Sequence, residues 1–330
     1  MTRALIFGIG GQDGSYLADL LVEKNYEVHG LVRRSSSDNL GRIRHLQDRI
    51  TLHRGDVTDA VSVTRILRSV LPSEVYNEAD QDSVGWSHAC PSLTIDITGK
   101  ALIPVLEFAK ERNLRSVKIF QPCSAMMFGD AAKQSSNTMP MFQDEQTRFN
   151  PQSPYAIAKV AAYHLCRYYR EQHDVFVSCG ILYNHDSERR SDHYLLHKIC
   201  QRAVAIKAGK ETDLPLGNLD SKVDVGYAPE YMDAAWRMLR HEAPEDFVIG
   251  TEAVYTVEEL VNLAAQTSGV KDLLERVTVD KEFWFPGQRG FLRANANKAF
   301  ALLGWQAKTK APQLIERLVN HYAKVMRVVG

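Results

Sequence analysis

The sequence predicts an α/β protein with a doubly wound parallel sheet and a smaller, interleaved C-terminal domain. Strand-like and helix-like segments alternate to about residue 180, which is typical of a parallel sheet covered by helices on both faces. A glycine-rich turn joins the first strand to the first helix, and polarity rises after Asn184. We therefore expect a nucleotide-binding domain over residues 1–184, with returns near 222–256, and a substrate domain over 185–330.

The first strand and its turn have the pattern of a dinucleotide-binding loop. Residues 3–7 read as a short buried strand that runs into Gly8, Gly11 and Gly14, and leucines follow at helical spacing. Glycines in this context permit a tight turn and close backbone approach, while the helix N-terminus offers N–H groups to a diphosphate. The pattern predicts a Rossmann-type nucleotide site.

The end of the second strand indicates which dinucleotide binds. An apolar segment over residues 26–32 ends at Arg33, Arg34, Ser35 and Ser36, where NAD-preferring sites carry an acid. Cations and hydroxyls at this point can hold a 2′-phosphate. We therefore expect NADP, with NAD, or a basic loop that binds nothing, as alternatives.

A tyrosine and a lysine one helical turn apart predict a site of proton transfer. A helix-starting Ser-Pro pair precedes Tyr155, and Lys159 follows on the same helix face. We expect the ammonium to lower the pKa of the phenol, which makes tyrosine usable as an acid or base near neutral pH. Ser124 follows a strand-like segment and should face the same crevice. Ser124, Tyr155 and Lys159 are the predicted catalytic residues.

Longer stretches of the chain resemble one enzyme family. The segments GGQDGSYLADLL (10–21), YEVHGLVRRSS (26–36), PQSPYAIAK (151–159) and NHDSERR (184–190) are similar to those of the extended short-chain dehydrogenases/reductases, and most similar to the GDP-mannose 4,6-dehydratases. The resemblance implies an NADP-binding Rossmann domain, a nucleoside diphosphate sugar as substrate, and a homodimer or homotetramer.

The resemblance also implies which residues touch cofactor and substrate. The cofactor contacts are expected at Gly8, Gly11, Gln12, Asp13, Gly14, Arg33, Arg34, Ser35, Asp56, Val57, Ala79, Tyr155, Lys159, Leu182, Asn184 and His185. The substrate contacts are expected at Asp82, Ser83, Ser124, Asn184, Arg190, Lys198, Lys222 and Arg289.

One departure from the family pattern concerns the chemistry. The dehydratases carry a glutamate that takes the C5 proton and lets water leave from C6, and this chain has Met126 in that place. Methionine has no ionisable group, so we expect hydride transfer at sugar C4 without dehydration, as in a 4-epimerase, 4-dehydrogenase or 4-ketoreductase. A dehydratase in which Asp80 or Asp82 replaces the glutamate is one alternative, and a non-catalytic nucleotide-sugar binding protein is another.

Further departures lie near the expected diphosphates. Glu78, Asp80 and Asp82 stand where the family pattern has two apolar residues and a serine. Because isolated carboxylates facing phosphate are unfavourable, they should bind something else, or lie in solvent. At the nucleotide end, Val223 replaces an arginine and residues 284–288 lack a second one, which leaves the preference for guanosine open.

Composition excludes several other functions. Lys plus Arg and Asp plus Glu both number 40, so no general basic field favours nucleic acid or an anionic membrane. No apolar run approaches the about 18 residues of a membrane span, and we expect a cytoplasmic protein. The five cysteines are scattered without ligand spacing, which predicts reduced thiols and no bound metal.

Two surface features bear on assembly and access. The helix that carries Tyr155 is apolar on more than one face, which favours a second partner such as another subunit. Retention of Arg33 to Ser36 makes a tetramer contact plausible through the resemblance. The loop Gly129–Asn150, rich in polar residues, is a candidate flap over the cavity or an ordinary surface loop.

Overall fold

A computed structural model describes residues 1–35, 40–112, 116–129, 142–280 and 292–327. The strands are β1 (Arg3–Phe7), β2 (Glu27–Val32), β3 (Ile50–Arg54), β4 (Glu74–Asn77), β5 (Lys118–Ser124), β6 (Val177–Leu182), β7 (Asn184–Asp186), β8 (Leu214–Leu216), β9 (Lys222–Tyr227), β10 (Phe247–Ile249), β11 (Val254–Thr256) and β12 (Val277–Val279). The α-helices are α1 (Gln12–Glu23), α2 (Ala60–Val70), α3 (Val84–Ala89), α4 (Pro91–Thr94), α5 (Ile103–Glu111), α6 (Pro154–His173), α7 (Leu195–Lys207), α8 (Ala228–Met238), α9 (Val257–Ser268), α10 (Asn297–Leu303) and α11 (Ala311–Val325).

A parallel sheet of seven strands, in the order β10-β6-β5-β4-β1-β2-β3, forms the centre of the described chain. Alternate residues of its strands face opposite helical layers. Leu5 and Val75 pack with α2, α5 and α6, whereas Ile6 and Tyr76 pack with α1 and α8. Burial of both faces is typical of parallel sheets. The predicted fold class is confirmed.

The later part of the chain builds a second core beside the sheet. Helices α7, α9 and α11 pack together with β8 and β9. Strands β11, β9 and β7 form a small sheet, and β12 pairs with β8. Strand β10 returns to the central sheet beside β6. The chain thus leaves the main sheet after β6 and re-enters it at β10, within residues 222–256, and the proposed domain limits stay a prediction.

Several predicted features fall on residues that the structure does not describe. Ser36, residues 284–288, Arg289 and the section 130–141 of the candidate flap lie outside the described ranges. Within those ranges, no helix is long and apolar enough to cross a membrane, and no group of three or more potential ligand side chains is placed to hold a metal ion. All five cysteines are free thiols.

Helix α6 carries Tyr155 and is fixed at both ends. The Ser153 hydroxyl accepts a hydrogen bond from the Ala156 N–H at 3.2 Å and caps the helix. Near the other end, Arg170 makes two hydrogen bonds of 2.7 Å to the two oxygens of Asp246, and Tyr163 donates to the same carboxylate at 2.9 Å. This bidentate, mostly buried pair ties α6 to the segment before β10.

We expect Asp246→Ala to lower the free energy of unfolding by about 3 kcal/mol or more, because loss of one partner leaves a mostly buried guanidinium without its counter-ion. Urea unfolding followed by circular dichroism measures the change. Asp272→Ala, which breaks the exposed Arg276 pair, is the control and should change the free energy of unfolding by less than about 1 kcal/mol. Equal stability of the Asp246 variant and the wild type would contradict this account.

Candidate active site

In the turn after β1, the backbone of Gly8 lies close to the backbones of Glu78 and Gly14. Gly8 has a φ of +74°, and the Gly11 N–H donates to its carbonyl at 2.8 Å. A Cβ atom on Gly8 would lie 2.4 Å from the Glu78 carbonyl oxygen, and one on Gly14 would lie 2.3 Å from the Gly8 oxygen. Only glycine fits at these two positions. Gly11 adds no side-chain cap to α1, so the turn and helix N-terminus fit a dinucleotide diphosphate.

The side chains of Gln12 and Asp13 join this turn to the segment after β6. Asp13 pairs with His185 at 3.0 Å, and Ser187 donates to Gln12 at 2.7 Å. Burial opposes ionisation of Asp13, but the charge and hydrogen bond of His185 hold the pKa of this carboxyl below its ordinary value. These contacts hold the glycine turn against the segment after β6, and the cofactor contacts of Gln12, Asp13 and His185 remain predictions.

The other predicted cofactor residues lie along the carboxyl edge of the central sheet. Arg33, Arg34 and Ser35 follow β2 and are exposed. The remaining residues follow or end neighbouring strands: Asp56 and Val57 after β3, Ala79 after β4, Leu182 at the end of β6, and Asn184 at the start of β7. In open α/β sheets this edge forms the ligand-binding crevice, and the structure gathers these residues there.

The three predicted catalytic residues meet at the same edge. Ser124 ends β5, and its hydroxyl accepts from the Met126 N–H at 3.2 Å. Tyr155 lies in the first turn of α6, and the Lys159 Nζ is 5.7 Å from the centroid of its ring. Lys159 donates to the Pro122 carbonyl at 2.8 Å. The structure therefore brings the serine, the phenol and the ammonium together, while their catalytic roles remain predictions.

Asp80, one of the two carboxylates considered as a replacement for the missing glutamate, binds Lys159 instead. Asp80 pairs with the Lys159 Nζ at 2.6 Å and also accepts a hydrogen bond from Thr98. The lysine side chain is 3% exposed and that of Asp80 is 14% exposed. Burial opposes the charge of Lys159, but the Asp80 carboxylate raises the pKa of the ammonium above its ordinary value. The sequence predicts that the acids of this loop bind a partner or lie in solvent, and the structure identifies Lys159 as the partner of Asp80.

The expected lowering of the Tyr155 pKa was wrong for this environment. Burial is the largest influence and raises the pKa of the phenol above its ordinary value. Lys159 and a hydrogen bond with Ser124 lower it, while Asp80 and Asp82 raise it. The lysine therefore lowers the pKa as expected, but its effect is smaller than that of burial, and the two carboxylates oppose it. Tyr155 is therefore protonated near neutral pH.

The predicted substrate residues separate into one cluster and several single positions. Asp82 pairs with Arg190 at 3.3 Å, and the Arg190 guanidinium lies 3.4 Å from the centroid of the Tyr194 ring. Ser83 caps α3 by accepting from the Trp86 N–H at 3.2 Å, which gives its hydroxyl a structural role. Elsewhere, Lys198 lies in α7, Lys222 begins β9 and Asn184 is exposed.

This fold, with a glycine turn facing a serine, a tyrosine and a lysine, defines an extended short-chain dehydrogenase/reductase. The sequence model described as GDP-mannose 4,6 dehydratase matches residues 5–318, and the chain belongs to that family. GDP-mannose 4,6 dehydratase 1 of Arabidopsis thaliana is 38% identical over 328 residues, which cover 96% of this chain and 88% of the relative. The human GDP-mannose 4,6 dehydratase is 37% identical over 349 residues, covering 98% and 92%.

Solved structures share the fold at low sequence identity. dTDP-glucose 4,6-dehydratase from Bacillus anthracis, in complex with NAD, has a TM-score of 0.83 at 18% identity and covers 99% of this chain and 98% of its own. RMD from Pseudomonas aeruginosa, complexed with NADPH, has a TM-score of 0.78 at 19% identity and covers 98% and 100%.

The family membership confirms the predicted class of enzyme, a short-chain dehydrogenase/reductase that modifies nucleotide sugars. The expectation of a nicotinamide dinucleotide, NADP or NAD, agrees with the cofactors held by these structural neighbours.

We expect Asp80→Asn to lower the pKa of Tyr155, because it removes a negative charge near the phenol and leaves the ammonium unbalanced. Tyrosine labelled with ¹³C at Cζ reports the titration by NMR, and Tyr155→Phe assigns the resonance. Asp96→Asn, in the exposed Lys100 pair, is the control and should leave the titration unchanged. A Tyr155 titration that stays in place in the Asp80 variant would refute the role given to the ion pair.

Proposed function

We propose that the protein is an NAD(P)-dependent oxidoreductase of nucleoside diphosphate sugars that acts by hydride transfer at sugar C4. The observation that carries the proposal is the convergence of Ser124, Tyr155 and Lys159 beside the turn at Gly8. A bound nicotinamide dinucleotide supplies the hydride acceptor or donor. The protein must then move one proton at the sugar oxygen and hold that oxygen in place.

Tyr155 is the group proposed to move this proton. In the oxidative direction the phenolate takes the proton of the C4 hydroxyl, while the C4 hydride leaves with its electron pair for the nicotinamide. In the reductive direction the phenol returns the proton to the C4 oxygen as hydride arrives at carbon. Ser124 can hydrogen-bond this oxygen and orient it. The raised pKa of Tyr155 favours the phenol near neutral pH and thus supports the reductive step.

Met126 supports hydride transfer without dehydration. Its backbone N–H bonds to the Ser124 hydroxyl at 3.2 Å, so the residue lies directly beside the proposed reacting centre. Elimination of water across C5 and C6 requires a group that removes the C5 proton. Methionine cannot do this, so return of hydride at C4 or release of the 4-keto sugar is the proposed outcome.

A dehydratase with a displaced acid is the second candidate, because the relatives are named GDP-mannose 4,6 dehydratases. Asp82 is the more accessible carboxylate, since it is 46% exposed in its 3.3 Å pair with Arg190 and acts electrostatically on Tyr155. Asp80 is instead paired with Lys159 at 2.6 Å. Loss of 18 mass units from GDP-mannose, with deuterium uptake from solvent at C5, would identify this reaction.

Nucleotide recognition is proposed for the cluster around Arg190 and for Lys198 and Lys222. Cations suit the diphosphate of the substrate, and Arg190 can stack as well as donate hydrogen bonds. A screen of GDP-, CDP-, UDP- and dTDP-sugars, with mass spectrometry of the products, identifies the substrate.

A non-catalytic binding protein is the third candidate. It would leave the absorbance of bound NADPH near 340 nm unchanged with every sugar.

The proposed assembly is a homodimer or homotetramer. Ile157 and Tyr168 on α6 are 51% and 52% exposed, as expected if a second subunit covers this helix. Arg33, Arg34 and Ser35 are exposed and can reach both a 2′-phosphate and a neighbouring subunit. Sedimentation of the full chain tests both states.

We expect Tyr155→Phe to reduce turnover by about 10²- to 10⁴-fold while leaving NADPH affinity unchanged, because only the proton donor is lost. Steady-state rates and a fluorescence titration of NADPH measure the two effects. Tyr168→Phe, on the exposed face of the same helix, is the matched control and should keep full activity. Full turnover in the Tyr155 variant would remove the phenol from the mechanism.

We expect Met126→Glu to acquire dehydratase activity on the substrate identified by the screen, because the new carboxylate beside Ser124 can remove the C5 proton. Mass spectrometry in deuterated buffer detects the 4-keto-6-deoxy product. Met126→Gln has the same length without an ionisable group and should stay inactive in dehydration. Wild-type protein that already dehydrates GDP-mannose would favour the second candidate.

A further inference from the structure

Glu78 occupies a sheltered position directly behind the glycine turn. It follows β4, and its backbone carbonyl oxygen lies 2.4 Å from where a Cβ of Gly8 would be. Its side-chain Oε1 is closed off from solvent and has no hydrogen-bond partner among the described residues. An enclosed carboxyl oxygen without a partner is costlier when the carboxyl is ionised than when it is neutral, so Oε1 favours the acid form, and Oε2 of this half-buried residue is the oxygen that can face a ligand. The resembling family pattern has leucine here.

The charged groups that face Glu78 come from three elements. Asp13 lies on α1, Asp80 on the loop after β4, and Lys159 on α6. The two acids disfavour a charge on Glu78 and the lysine favours it. Lys159, however, is paired with Asp80 at 2.6 Å, and Asp13 is paired with His185 at 3.0 Å. The cation is thus already balanced, and ionised Glu78 would add an uncompensated negative charge.

We propose that Glu78 is a cofactor-contacting residue that acts as a neutral carboxylic acid and donates a hydrogen bond to the diphosphate of the nicotinamide dinucleotide. The diphosphate oxygens are acceptors only, so a protonated carboxyl can bond to them, whereas a carboxylate repels them. This inference rests on the proposed function, because it takes the cofactor as given. Deprotonation of Glu78 therefore weakens dinucleotide binding.

The direction of the pH dependence follows from the environment of Glu78. Burial, together with Asp13, raises the pKa of this carboxyl well above its ordinary 4.5. The acid form that binds is therefore present at low pH and persists above 4.5. Once the pH exceeds the raised pKa, binding must take up one proton, and the Kd rises about tenfold per pH unit. His185 also titrates in this region and is the group to be separated from Glu78.

The test is a fluorescence titration of NADPH into the full-length protein at pH 6 to 9. We expect the wild-type Kd to increase with pH. Glu78→Gln, whose amide donates at every pH, should keep the low-pH Kd and lose most of the dependence. Glu171→Gln, which neutralises one side of the exposed Arg167 pair near the C-terminal end of α6, is the control. This variant should behave as the wild type does.

Each result decides between the proposals. A wild-type Kd that is independent of pH, or a dependence that persists unchanged in Glu78→Gln, overturns the role of Glu78 and leaves the proposed enzyme intact. A pH dependence of the Kd that persists in Glu78→Gln would instead be assigned to His185. If the wild type binds neither NADPH nor NADH at any pH, the proposed function fails as well. Should Glu78→Gln not fold, calorimetry of the wild type in buffers of different ionisation enthalpy measures the proton uptake directly, and zero uptake at high pH contradicts the inference.

Discussion

The buried pair between Asp80 and Lys159 is the interaction on which the rest of the site depends. A lysine that is 3% exposed must be balanced, and Asp80 at 2.6 Å and the Pro122 carbonyl at 2.8 Å provide its partners. The pair fixes the ammonium beside Tyr155, and Asp80 offsets part of its effect on the phenol. Burial, which Lys159 does not overcome, raises the pKa of both Tyr155 and the neighbouring Glu78 and favours their neutral forms.

The raised pKa values of Tyr155 and Glu78 favour a neutral phenol and a neutral carboxylic acid in the same crevice. A dinucleotide brings negative charge to the carboxyl edge of the sheet, and an enzyme that surrounded it with ionised acids would repel it. Pairing of Asp13 with His185, and of Asp80 with Lys159, leaves each pair close to electrically neutral. The acidic loop is therefore compatible with a phosphate site, and protonated Glu78 takes the place of the apolar residue in the family pattern.

The chain keeps the scaffold of its family while its reacting centre differs. The family match extends over residues 5–318, and the glycine turn and the tyrosine helix are formed as the family pattern implies. The substitutions lie on loops at the carboxyl ends of strands, among them Met126 after β5 and Glu78, Asp80 and Asp82 after β4. Loops at this edge change without disturbing the sheet core, which is why one fold supports several reactions.

The fold class and the local parts of the site follow from the sequence. Strand β1 forms over the predicted residues 3–7, and helix α6 begins at the predicted Ser-Pro pair, because such features depend on periodicity and on neighbouring residues. The electrostatics of the site depend instead on contacts between distant parts of the chain. Asp80 meets Lys159, and Asp13 meets His185, across long stretches of chain. No local pattern encodes which distant groups share a buried environment, and that environment reversed the expected pKa of Tyr155.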